Sequence, residues 1–121
     1  MRYWIAVAIA VIAIIGIATS YTGYFVNPDN NTVNYDDFAK CLTQKGAIMY
    51  GTKYCPHCAN QKKMFGDSFK YITYIECTDN AQVCVNAGIN AVPAWNINGK
   101  IYVGEQSLQK LSELTGCKLP Q

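Results

Sequence analysis

The sequence predicts an α/β domain with a single layered sheet, preceded by an apolar N-terminal segment. Three observations lead there. Short strand-like runs alternate with helix-like stretches from residue 34 onward, an Asn98-Gly99 pair joins two of those runs, and residues 3–18 form one unbroken apolar run. A chain of 121 residues is one domain plus an appendage, and the 50% apolar content is inflated by the appendage. A formal net charge of +2 is too near neutral to suggest a nucleic-acid partner.

The apolar run of Ile, Val and Ala carries no charge between Arg2 and Asp29. About 20 residues at about 1.5 Å each cross a hydrocarbon core of about 30 Å, so residues 3–22 are long enough to span a bilayer. Tyr3, Trp4, Tyr21 and Tyr24 fall where interfacial aromatics sit, and Arg2 places the N-terminus in the cytoplasm by the positive-inside rule. Residues 1–24 are therefore expected to be a retained anchor or uncleaved signal. A secretory signal cut after Ser20 is the rival reading, and both export the rest of the chain. Residues 25–33 read as a linker, with turn chemistry at Pro28-Asp29-Asn30-Asn31.

The folded part is expected over residues 34–121. A first helix should start at an Asn34 cap, with Asp36 and Asp37 in its first turn, and run to Lys45 before Gly46. Phe38, Cys41 and Leu42 share its apolar stripe, which reads Cys41 as packing. Residues 47–52 read as a short buried strand, and residues 59–65 are rich in helix formers before Gly66. Residues 71–77 are strand-like and end at Asp79-Asn80, residues 81–87 form a short helix carrying Cys84, and Gly88 comes next. Residues 94–97 and 100–103 flank Asn98-Gly99, a strong hairpin signal because both residues tolerate positive φ. Ser107 caps a last helix with Leu108, Leu111 and Leu114 on one stripe, ended by Gly116.

Between the first strand and the second helix stands Cys55-Pro56-His57-Cys58. Two cysteines at this spacing can form and break one disulfide without moving the backbone. At a helix N-terminus the unpaired N–H groups and the helix dipole favour a thiolate, so Cys55 is expected to be the exposed nucleophile and Cys58 the resolving thiol. Pro56 suits the first helical position, where its missing N–H has no partner. His57, the one histidine of the chain, can donate a hydrogen bond or place positive charge beside Cys55, favouring the reduced pair and making it a stronger oxidant. A zinc site is disfavoured because there is no second Cys-x-x-Cys or histidine pair, so no metal is expected. Haem attachment would need histidine where Ala59 stands.

Six cysteines in so short a chain argue for an oxidising compartment. Cys77 and Cys84 are close enough for a local structural bridge. Cys117 is left open as free, bridged to Cys41 or part of a relay.

From residue 34 to residue 116 the chain resembles the thioredoxin fold, with about four strands in a mixed sheet and flanking helices. The likeness rests on the strand-to-helix Cys55-Pro56-His57-Cys58, on Val92-Pro93 before a strand, and on the hairpin and closing helix. It implies a cis Pro93 facing the redox cysteines, with the Val92 backbone pairing to an extended substrate segment. Within the fold family, Gly46-Ala47, Met49-Tyr50-Gly51, Gln61-Lys62, Phe65-Gly66, Glu76-Cys77 and Trp95-Asn96-Ile97-Asn98-Gly99 resemble the thioredoxin-like domain that accompanies bacterial vitamin K epoxide reductase homologues. The four-helix membrane domain of those proteins does not occur in this sequence, so an integral-membrane redox partner would be a separate protein. The active-site motif also resembles the oxidant DsbA, but no helical insertion large enough for that subfamily lies between Cys58 and Pro93. Reductant thioredoxins usually carry a buried Asp where this chain has Met49, and its absence points toward an oxidase.

The resemblance thus implies a membrane-tethered, extracytoplasmic thiol-disulfide oxidoreductase that oxidises thiols of exported proteins and needs no cofactor. Two other readings stay open: a reductase or isomerase fed by a transmembrane electron carrier, and an anchored interaction module whose disulfides are only structural.

Overall fold

The computed structural model describes Val33–Gln121. The expected anchor and nearly all of the linker lie outside the described residues; among those described, no helix is long and apolar enough to cross a membrane.

The elements run α1 (Asp36–Gln44), β1 (Ile48–Gly51), α2 (Pro56–Phe65), a 3-10 segment (Gly66–Tyr71), β2 (Thr73–Glu76), α3 (Ala81–Asn86), β3 (Ala94–Ile97), β4 (Lys100–Val103) and α4 (Leu108–Thr115). The four strands form one mixed sheet in the order β2-β1-β3-β4. β1 pairs parallel with β2, Ile48 opposite Thr73 through Gly51 opposite Glu76, and antiparallel with β3, Met49 opposite Trp95. A parallel pair needs a long crossover, which α2 and the 3-10 segment supply. This mixed sheet with flanking helices is consistent with a thioredoxin-like fold.

Burial follows strand position. The central strands β1 and β3 bury Met49, Tyr50, Ala94, Trp95 and Ile97, whereas the edge strands β2 and β4 are only partly covered. Trp95 lies at the centre with Phe65, whose ring is 6.1 Å from both Trp95 and Phe38. Leu42 of α1 and Leu111 of α4 complete the packing. The β3–β4 hairpin turns at Asn98 and Gly99, both with positive φ (54° and 82°), as a two-residue turn of that composition requires.

Three local expectations change. Asn34 is not the cap residue of α1: that position is Tyr35, and the Asn34 side chain accepts from the Asp36 N–H at 2.8 Å from one residue further out. The second strand is shorter than residues 71–77, because Gly66 turns the chain into a 3-10 segment that runs through Tyr71. That segment is pinned to α1 at both ends. The buried Ser68 hydroxyl accepts from Tyr35 N–H (3.2 Å) and donates to Asp36 (2.7 Å), while the Thr43 hydroxyl donates to the Tyr71 carbonyl (2.7 Å). Cys41, finally, does more than pack, since it is bridged to Cys117 across 76 positions of sequence.

The structure pairs Cys77 with Cys84 as well, seven positions apart. Closing a longer loop removes more entropy from the unfolded chain, so replacing Cys41 and Cys117 by Ala should cost about 4.5 kcal/mol of stability, against about 2.5 kcal/mol for Cys77 and Cys84. Denaturant unfolding of the two double variants followed by near-ultraviolet circular dichroism checks the order; equal losses would contradict it.

Candidate active site at the Cys55–Cys58 corner

β1 delivers the chain to the corner, and α2 leaves it. Cys55 is the N-cap of α2, with extended backbone (φ −95°, ψ 113°), and Pro56 follows in the first turn. The Cys55 sulfur accepts from the Cys58 N–H at 3.1 Å, so it occupies the position a capping oxygen usually takes. A sulfur there sees the positive end of the helix, which favours its thiolate. Cys55 and Cys58 are bonded to each other, with Cα atoms 5.2 Å apart. Cys55 is partly exposed and Cys58 fully buried, so an incoming group reaches Cys55 first.

Val92 and Pro93 come to the same place from the segment before β3. Their peptide bond is cis, Pro93 is buried, and the Val92 carbonyl oxygen lies 3.8 Å from the Cys55 sulfur. Pro93 is held in turn by the Gly104 N–H, which donates to its carbonyl at 2.7 Å.

The His57 side chain is 75% exposed and its Nδ1 lies 2.6 Å from Glu105 Oε1, so this nitrogen meets the loop after β4 rather than the Cys55 sulfur.

Two further groups shape the corner and were missed in the sequence. The first is Gln61, fully buried on α2. Its carbonyl accepts from Trp95 Nε1 (3.2 Å) and from Gln106 N–H (2.7 Å), and its amide donates to the Gln106 carbonyl (2.9 Å). One side chain therefore joins the active-site helix, the central strand and the loop bearing Glu105. The available signal was its place between buried Cys58 and Phe65 at helical spacing, a polar residue interrupting an inward stripe.

The second is the Tyr74–Glu76 pair on β2. The Glu76 carboxylate accepts from the Tyr74 hydroxyl (2.8 Å) and from the N–H groups of Lys53 (3.0 Å) and Thr78 (3.2 Å), which fixes the loop entering Cys55. Burial alone would raise the Glu76 pKa, but the Tyr74, Thr78 and Lys53 donors outweigh it and hold the carboxyl below its ordinary value. Burial, the hydrogen bond to Glu76 and the Glu76 charge push the Tyr74 phenol the other way, well above its ordinary value. Lys62 of α2 covers the Tyr74 ring at 3.8 Å from its centroid. Gly51 makes this approach possible. A Cβ at that position would stand 3.0 Å from the Tyr74 hydroxyl and 3.2 Å from the Cys58 sulfur, closer than either could easily accept.

Met49, in the same buried core cluster as Cys58, is fully buried and apolar. Among the described residues, no group of three His, Cys, Asp or Glu side chains is arranged to hold a metal ion.

No protein-family model matches the chain. It is 41% identical over 92 residues to thiol-disulfide oxidoreductase LTO1 of Arabidopsis thaliana, an alignment covering 69% of this chain and 24% of that relative. The chain thus spans about a quarter of the length of that relative. The similarity and the Cys55–Cys58 pair support the thiol-disulfide oxidoreductase class of enzyme.

Replacing Gln61 by Leu keeps its bulk but leaves the Trp95 indole N–H and the Gln106 N–H without acceptors. At about 1–3 kcal/mol for each unsatisfied donor, the variant should lose about 2–6 kcal/mol in a denaturant titration. A change within about 0.5 kcal/mol, the range of an ordinary surface substitution, would show that the network does not hold the corner.

Proposed function

We propose that the chain is a membrane-tethered thiol oxidase that delivers disulfides to exported proteins. The observation that carries the reading is the Cys55 sulfur at the head of α2, capped by the Cys58 N–H, bonded to a buried partner and partly open to solvent beside the Val92 carbonyl.

The reaction needs only this chain's sulfurs and the substrate's. A substrate thiolate attacks the Cys55 sulfur; a new disulfide forms to the substrate, the Cys55–Cys58 bond breaks, and Cys58 leaves as a thiolate that takes a proton. The second substrate thiolate then attacks the substrate sulfur of this mixed disulfide and expels Cys55 as the thiolate, which its helix-head position favours. The substrate loses two electrons and two protons, and the cysteine pair gains the two electrons. Val92 offers its backbone to an extended substrate segment on the same side as Cys55, in the manner of strand addition. Pro56 sets the first turn of α2, and His57 stands in that turn with its Nδ1 on Glu105.

Residues 3–22 anchor the chain in the bilayer as a single pass with a cytoplasmic N-terminus, and the domain faces the extracytoplasmic side. The uncharged stretch from Tyr3 to Pro28 supports the anchor, and the pairing of all six cysteines supports an oxidising compartment. Reoxidation falls to an integral-membrane, quinone-linked redox partner of the vitamin K epoxide reductase type; the residues that resemble that family's thioredoxin-like domain support this choice.

The oxidised full chain, mixed with excess reduced peptide carrying two cysteines, should form about one peptide disulfide per chain and then stop, and Cys55→Ser should transfer none above the uncatalysed rate. Peptide oxidation read by mass checks both. Transfer that persists in Cys55→Ser, or none by the wild-type chain, would overturn the reading.

A further inference from the structure

The loop between β4 and α4 is held from three sides. Gly104 donates to Pro93, Gln106 exchanges two hydrogen bonds with buried Gln61, and the Gln106 side-chain amide donates to the carbonyls of Val103 (3.3 Å) and Gly104 (3.2 Å). Between these fixed points stands Glu105. Its Oε1 meets His57 Nδ1 at 2.6 Å and accepts from Asn60 Nδ2 at 3.3 Å. The two partners are unequal, for the His57 side chain is 75% exposed and that of Glu105 only 27%. An exposed ion pair between two free side chains contributes little. Here one partner is presented by a braced loop, so the consequence falls on the other: the imidazole is taken to where the carboxylate is.

We propose that Glu105 is a positioning residue that sets the oxidising strength of the Cys55–Cys58 pair by holding the His57 imidazole against the β4–α4 loop. The inference rests on the thiol-disulfide reading of the site. A Cys55 thiolate exists only when the pair is reduced, so positive charge at the head of α2 favours the reduced pair and negative charge disfavours it. Glu105 acts on this balance through the imidazole, whose Nδ1 it holds at 2.6 Å on the loop after β4. Other charges nearby are engaged elsewhere: Lys53 lies 3.6 Å from Asp79, and Lys62 covers the Tyr74 ring. Left without Glu105, His57 would be free to turn toward Cys55 and, when protonated, to place positive charge there. Glu105 therefore moderates the oxidising effect that histidine has at this position.

The test equilibrates the oxidised full chain with glutathione at fixed pH and quantifies Cys55 and Cys58 by alkylation and peptide mass, apart from the other four cysteines. Glu105→Gln should shift the equilibrium toward the reduced pair by about threefold, and the pH midpoint of Cys55 alkylation should fall. In a His57→Ala background the same substitution should leave both readings unchanged. A structural role alone would move neither in this pattern. No shift in Glu105→Gln would overturn the proposal, and so would an equal shift without His57, which would make Glu105 a direct charge. A wild-type pair that does not exchange with glutathione at all would overturn the thiol-disulfide reading itself, and this inference with it.

Discussion

The Cys58 N–H donates to the Cys55 sulfur across the first turn of α2, and the chain on either side is arranged to keep that contact in place. A helix can begin there because Cys55 is extended and Pro56 follows, needing no N–H partner of its own. It can begin next to a sheet because β1 ends at Gly51, where a side chain would collide with both Tyr74 and Cys58. The same geometry separates the two sulfurs in access. One faces solvent at the positive end of the helix, and the other is sealed beneath it.

Two braces hold this corner, one on each side. Glu76 gathers a phenol and two backbone N–H groups and so fixes the loop before Cys55. Gln61 joins α2 to Trp95 and to the loop after β4, and that loop in turn holds the Pro93 carbonyl and presents Glu105. The Val92 carbonyl thereby stays 3.8 Å from the Cys55 sulfur, and His57 has a fixed partner. Core packing, substrate approach and electrostatics at the helix head are therefore one connected structure. A change in Gln61 is felt in all three.

The sequence was readable wherever the determining contact is local. Pro56 after Cys55, Asn98-Gly99 in the hairpin, and Ser107, whose hydroxyl caps α4 by accepting from Lys110 N–H at 3.0 Å, all act within a few residues. What escaped is set by contacts distant in sequence. The 3-10 segment exists because Ser68 and Tyr71 reach back to α1, and Cys41 is bridged to Cys117, 76 positions away. The partners that make Gln61 a brace, Trp95 and Gln106, lie 34 and 45 positions away, and nothing local to His57 names Glu105, 48 positions away.

The reduction potential of the Cys55–Cys58 pair tests the central claim most directly, since a thiolate favoured at the head of α2 stabilises the reduced form and strengthens the oxidant. Measured in the full chain against glutathione, it should fall toward the oxidising end, about −120 to −180 mV. A value near about −270 mV would mean that the pair gives electrons away rather than accepting them, and would contradict the oxidase account.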